Sequence, residues 1–173
     1  MSKAKRAGVV SAIVMATVVT VLLVQVAIAK VSSPATTVTA NGGLHQTKVV
    51  RSNDSHSDSG SAWIDVSDMS VNVNAPTKSL IIISFTAESD CYNASDSSWC
   101  SVRAKIGTKV GEPNEGTSFA WQNGQSLDPY LALGMTRSRI VSAGTYNVKI
   151  QTNANSNSFR LDDMSLVVQV IDV

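Results

Sequence analysis

Apolar and polar positions alternate with a period of two through most of the chain. Met69, Val71 and Val73 interleave with Ser70, Asn72 and Asn74. Cys100, Val102, Ala104 and Ile106 interleave with Ser101, Arg103 and Lys105, and Tyr146, Val148 and Ile150 with Asn147, Lys149 and Gln151. This alternation describes strands with one face in a core and one in water. Leu80–Phe85 (LIIISF) is apolar on both faces and reads as a central strand. Turn residues divide the runs at Ala75-Pro76-Thr77, Gly111–Asn114, Asn123-Gly124, Ala143-Gly144-Thr145 and Asn153–Asn157. No segment beyond residue 30 has a helical period over ten residues or more. The prediction is an all-β, antiparallel two-sheet sandwich, of jelly-roll type, with about eight or nine strands. In the last strand the apolar phase shifts from Phe159 and Leu161 to Met164, Leu166, Val168 and Val170. A β-bulge near Asp162-Asp163 absorbs the odd residue and keeps both halves facing the core.

The N-terminus has a different pattern. Lys3, Lys5 and Arg6 precede an uncharged apolar run, Val9–Ala29, that ends Ala27-Ile28-Ala29-Lys30. A basic start, an apolar segment and a small-x-small site are the parts of a signal peptide cut after Ala29. The run is also long enough for an apolar helix that stays in the membrane, since a span needs about 20 residues. Both readings put everything after Lys30 outside the cytoplasm. The domain plan is therefore residues 1–29 as signal peptide or uncleaved anchor, 30–61 as a flexible polar linker with an edge strand at 44–51, and 62–173 as the sandwich. The stretch Ser52–Ser61 (SNDSHSDSGS) reads as a solvated loop.

Composition agrees with this picture. The chain has 173 residues, 16% of them charged, and Ser, Thr and Asn together make roughly 28%. Without residues 1–29, eleven cations face thirteen acids, a net charge near −2. Such a balance excludes a polybasic face for nucleic acid, and membrane contact is expected only through residues 9–29.

Five segments together resemble a known group: Trp63–Val66 (WIDV), Phe85–Cys91 (FTAESDC), Trp99–Arg103 (WCSVR), Gly144–Gln151 (GTYNVKIQ) and Phe159–Leu166 (FRLDDMSL). They are similar to uncharacterised small exported bacterial β-sandwich proteins, over about residues 62–173. The resemblance implies a secreted jelly-roll sandwich, with a layout similar to C1q/TNF-like domains and carbohydrate-binding modules. It supplies no catalytic residues.

Four groups of residues are candidates for chemistry. Cys91 and Cys100 flank an eight-residue loop in an oxidising compartment and are expected to form a disulfide across the mouth of a hairpin. Glu88, Asp90, Asp162 and Asp163 are either structural carboxylates at the bulge, paired with Arg103 or Arg160, or hard oxygen ligands for calcium. Trp63, Trp99 and Trp121 are candidate ligand-binding aromatics; Trp121 stands beside the turn Gln122-Asn123-Gly124, whereas Trp99 also suits packing on the disulfide. Asp54, His56 and Asp58 are conceivable as a metal site, against the simpler reading of a solvated loop, and no residue set has the context of a Ser-His-Asp triad. The expectation is an exported, non-enzymatic binding or surface-interaction module for an extracellular ligand, a glycan among the options. A small secreted glycan hydrolase and a structural envelope or spore-surface protein that self-associates are the alternatives. No cofactor is expected apart from the calcium option.

Overall fold

The computed structural model describes residues 36–40, 44–92, 99–113, 120–123 and 131–173, with backbone alone for 36–40 and 120–123. The chain divides into residues 1–32 and 33–173, and the first unit lies wholly outside the described residues. The apolar segment 9–29 and the cleavage residues Ala27, Ala29 and Lys30 therefore lie outside them too. Among the described residues no helix is long and apolar enough to cross a membrane.

The alternating segments form strands β1 (Thr36–Ala40), β2 (Gln46–Ser52), β3 (His56–Asp58), β4 (Ile64–Ala75), β5 (Ser79–Tyr92), β6 (Trp99–Ile106), β7 (Lys109–Val110), β8 (Ala120–Asn123), β9 (Leu131–Val141), β10 (Gly144–Asn153) and β11 (Ser158–Asp172). They build an all-β sandwich of two antiparallel sheets. The six-stranded sheet has the order β1-β2-β11-β5-β9, with β3 also paired to β11; the five-stranded sheet has the order β4-β10-β6-β7, with β8 also paired to β6. From β3 to β6, and again from β8 to β11, each connection crosses from one sheet to the other. Phe85, Ile81 and Ile83 of β5, Phe159, Leu161 and Leu166 of β11, Met69 and Val73 of β4, Ile150 of β10 and Ile106 of β6 fill the space between the sheets. Each stands at the alternate position that the period-two pattern assigns to the core.

From residue 62 on, eight strands are described, β4 to β11, as the alternation predicts, and the polar N-terminal stretch adds β1, β2 and β3. Two expectations need correction. Residues 44–51 are no edge strand in a flexible linker: β2 lies between β1 and β11, with Val50 opposite Leu166. Nor is Ser52–Ser61 wholly a solvated loop, since β3 within it pairs with Phe159–Leu161, and His56 and Asp58 are buried.

The expected bulge is present in β11. Asp162 pairs with Glu88 and Ser165 with Thr86, and Asp163 between them adopts φ 45°. A second irregularity interrupts β4, where Asp65 pairs with Gln151 and Ser70 with Lys149, and Asp68 adopts φ 60°. The local sequences correspond: Ser67-Asp68-Met69-Ser70-Val71 and Asp162-Asp163-Met164-Ser165-Leu166. Asp tolerates the left-handed region better than most residues. In both places it lets the following methionine re-enter the core, so Val66 and Met69, like Leu161 and Met164, are all buried.

One side of the sandwich is closed by backbone. The Gly111 N–H donates to Ala104 O in the five-stranded sheet, while Glu112 and Ser138 exchange N–H···O bonds of 2.7 and 2.9 Å with β9 of the other sheet. A Cβ on Gly111 would come within 2.9 Å of the Arg137 Cβ, so this crossing requires glycine.

Candidate functional site

Cys91 and Cys100 form a disulfide with a Cα–Cα distance of 5.9 Å. Cys91 is the last residue but one of β5 and Cys100 the second of β6, and the two strands belong to different sheets. The bond therefore ties the two layers together through the core instead of closing a hairpin mouth. Both cysteines are buried.

Trp99, next to Cys100 but on the opposite face of β6, is 50% exposed. It does not sit in the core on the disulfide. Its alternation partners on the outer face are Ser101, Arg103 and Lys105. Arg103 lies four residues along, about 13 Å from Trp99. There the Trp63 ring, just before β4, stacks on the Arg103 guanidinium at 4.2 Å from the ring centroid. Two of the three tryptophans thus share the outer face of the five-stranded sheet. Trp121 is in β8 at the irregularity where Cys100 pairs with Gln122 and Ser101 with Ala120; its side chain lies outside the described residues.

A polar ladder runs across the same face. Arg103, Gln151 and Asp65 are directly opposite one another on β6, β10 and β4. Arg103 Nε donates to Gln151 Oε1 at 2.8 Å, and Gln151 Nε2 donates to Asp65 Oδ1 at 2.6 Å. Lys149 Nζ donates to Asp65 Oδ2 at 2.6 Å. The Lys149 bond, and then the Gln151 bond, hold the Asp65 carboxyl below its ordinary range. Burial pulls the Arg103 guanidinium down from its ordinary value, with the Asp65 charge opposing it. One step further along, Asn147 Nδ2 donates to Asn72 Oδ1 at 3.0 Å. Apart from Arg103, none of these residues stood out in the sequence, because each strand shows only its own alternate polar residues and not which strand lies beside it. The result is a surface of amide, guanidinium, ammonium and carboxylate groups with indole rings at one end.

The acidic candidates lie on the other sheet. Glu88 is directly opposite Asp162, and Asp90 opposite Arg160, on the outer face of β5 and β11. Asp162 accepts from Arg160 Nη2 at 2.9 Å and from the Asp163 N–H at 3.1 Å. Arg103, the other proposed cation, is in the opposite sheet and bonds to Gln151. Arg160 puts a cation among the carboxylates, and among the described residues no three His, Cys, Asp or Glu side chains are placed to hold one metal ion. The same holds for Asp54, His56 and Asp58. His56 Nε2 instead shares a 3.0 Å hydrogen bond with Thr152 Oγ1, and Asp58 accepts from the Gly60 and Ala154 N–H groups at 2.8 and 3.1 Å. Burial lowers the affinity of His56 for a proton, and the Asp58 charge opposes that only in part.

No protein-family model matches the chain, and no curated protein matches it. Among solved structures, it is similar to a carbohydrate-binding module (CBM6cm-2) from Cellvibrio mixtus lichenase 5A in complex with cellotriose. The identity is 14%, over 83% of this chain and 91% of that one, with a TM-score of 0.31. It is also similar to the C-terminal CBM6 of LamC, a marine laminarinase from Zobellia galactanivorans. Here the identity is 15%, over 79% and 90% of the two chains, with a TM-score of 0.30. Likenesses of that size carry no weight for site or ligand.

Proposed function

We propose that the protein is an exported, non-enzymatic binding module that takes up an extended glycan along the outer face of its five-stranded sheet. One observation carries this reading: Trp99 and the Trp63–Arg103 stack stand on a sheet face otherwise lined with hydrogen-bonding side chains. Sugar rings present apolar C–H faces and a rim of hydroxyls. The first suit an exposed indole, and the second suit planar amide and guanidinium groups. The ladder from Arg103 to Lys149 is already bonded internally, so its donors and acceptors are held in place before a ligand arrives, which limits the entropy lost on binding.

A binding role also suits the carboxylates better than hydrolysis does. Glycoside hydrolysis uses two acidic groups about 5–10 Å apart, one of them with a raised proton affinity. On this face Asp65 is held in its charged form by Lys149 and Gln151. The test is a glycan-array screen of the purified protein beside its Trp99→Ala and Trp63→Ala variants. Retention of at least one glycan class, lost in the variants at unchanged melting temperature, is the expected result. Equal retention by all three proteins would remove the face from the account.

A further inference from the structure

We infer that the glycan is acidic, with a carboxylate or sulfate group seated on Lys105. The inference rests on the binding face proposed above and names the class of ligand for it. Lys105 and Lys149 are directly opposite each other on β6 and β10. Directly opposed side chains have Cβ atoms about 5 Å apart, and two like charges so placed repel. Lys149 escapes that repulsion through its 2.6 Å ion pair with Asp65. Asp65 is already engaged twice, by Lys149 and by Gln151. Lys105 makes no direct ion pair among the described residues and reaches the Asp65 charge only at longer range.

The surroundings of Lys105 point the same way. It is only half exposed, two residues from Arg103 on the same face. Arg103 has its guanidinium against Trp63 and its Nε on Gln151, so Arg103, Lys105 and Lys149 put three cations around Asp65. The outer face of the other sheet has the reverse balance, with Glu88, Asp90 and Asp162 around Arg160. An anionic group on the ligand would give Lys105 a direct partner while the sugar rings run toward Trp99. A neutral glycan would leave Lys105 without one. A charge-assisted contact at a partly desolvated lysine is about twice as strong as a neutral hydrogen bond.

The experiment is calorimetric titration of the protein with four probes at matched length. They are an oligogalacturonate, its methyl ester, a sulfated galactan oligosaccharide and a neutral cello-oligosaccharide; single-stranded oligothymidylate serves as a polyanion control. The expected result is binding of an acidic glycan at least about tenfold tighter than the methyl ester or the neutral oligomer, one energetic step of the affinity scale. Preference between the first and third probes assigns carboxylate or sulfate. Lys105→Gln should erase the acidic preference and Lys105→Arg should keep it, with the melting temperature checked for each. Equal binding of acidic and neutral glycans overturns this inference and leaves the binding face standing. Binding of no glycan overturns both. Oligothymidylate binding as tight as the best glycan overturns the inference in favour of a nucleic-acid ligand.

Discussion

Replacing Asp58 tests whether the polar N-terminal strands belong to the folded domain. Its carboxylate accepts two backbone N–H groups, from Gly60 at 2.8 Å and from Ala154 at 3.1 Å. The first holds the loop after β3, and the second fastens β3 to the turn between β10 and β11. Gly60 is exposed, so water replaces that acceptor when the carboxylate is removed. Ala154 is 0% exposed, so its N–H would be left without a partner in the core. A hydrogen bond to a charged group contributes about 1.5–3 kcal/mol, and an unsatisfied buried donor costs a similar amount. Asp58→Ala should therefore lose about 3 kcal/mol. Asp58→Asn, which keeps one carbonyl oxygen, should lose about half of that. For a domain of this size 3 kcal/mol corresponds to roughly 10 °C in melting temperature. Urea unfolding followed by tryptophan fluorescence gives the free energy, and an unchanged m-value shows that the same surface unfolds. A loss under about 0.5 kcal/mol for Asp58→Ala would mean that β3 does not hold the turn. The stretch 52–61 would then be the loop that its composition suggests.

Three other predictions follow from local geometry. At Asp163, φ 45° favours Gly over Asp over Ala; Asp163→Gly should be neutral or slightly stabilising, Asp163→Ala should cost about 1 kcal/mol, and the reverse order in thermal melts would refute the backbone argument. Replacing Cys91 and Cys100 together by Ala should cost about 3 kcal/mol through the lost cross-link between sheets; the Ser pair should cost more because it buries two hydroxyls, so equal stabilities would contradict a buried inter-sheet bond. His56 holds its proton less tightly in the fold than its ordinary value of 6.5. The stability from its neutral form is thus complete above pH 6.5 and is lost as pH falls through the lowered value, a slope that His56→Gln should remove in unfolding curves from pH 7.5 to 5 and that would refute burial as the cause if it persisted.

The sandwich was legible because its strands keep one face apolar, and each core residue of β4, β6, β10 and β11 is at the position the alternation assigns. The β11 bulge was legible for the same reason: a change of phase between Leu161 and Met164 has no other regular solution. The same signal stands between Val66 and Met69, with a near-copy of the same five residues, and shows that phase changes deserve equal search at both ends of a chain. Pairing was not legible. Nothing local separates a hairpin from a crossing connection, so the disulfide's two sheets could not be read from the Cys91–Cys100 spacing. His56-Ser57-Asp58 looks like solvent-facing sequence, yet Thr152, Gly60 and Ala154 supply partners that make burial tolerable. The ladder Arg103–Gln151–Asp65–Lys149 joins residues from three separated segments, and only register brings them together.

The claim that the outer face of the five-stranded sheet binds ligand is tested most directly by mapping amide chemical shifts during titration with the best-retained glycan. The account predicts perturbations centred on Arg103, Lys105, Lys149, Gln151 and the indole N–H groups of Trp63 and Trp99, with the strands of the other sheet unmoved. Perturbations centred instead on β9, β5 and β11 would contradict it.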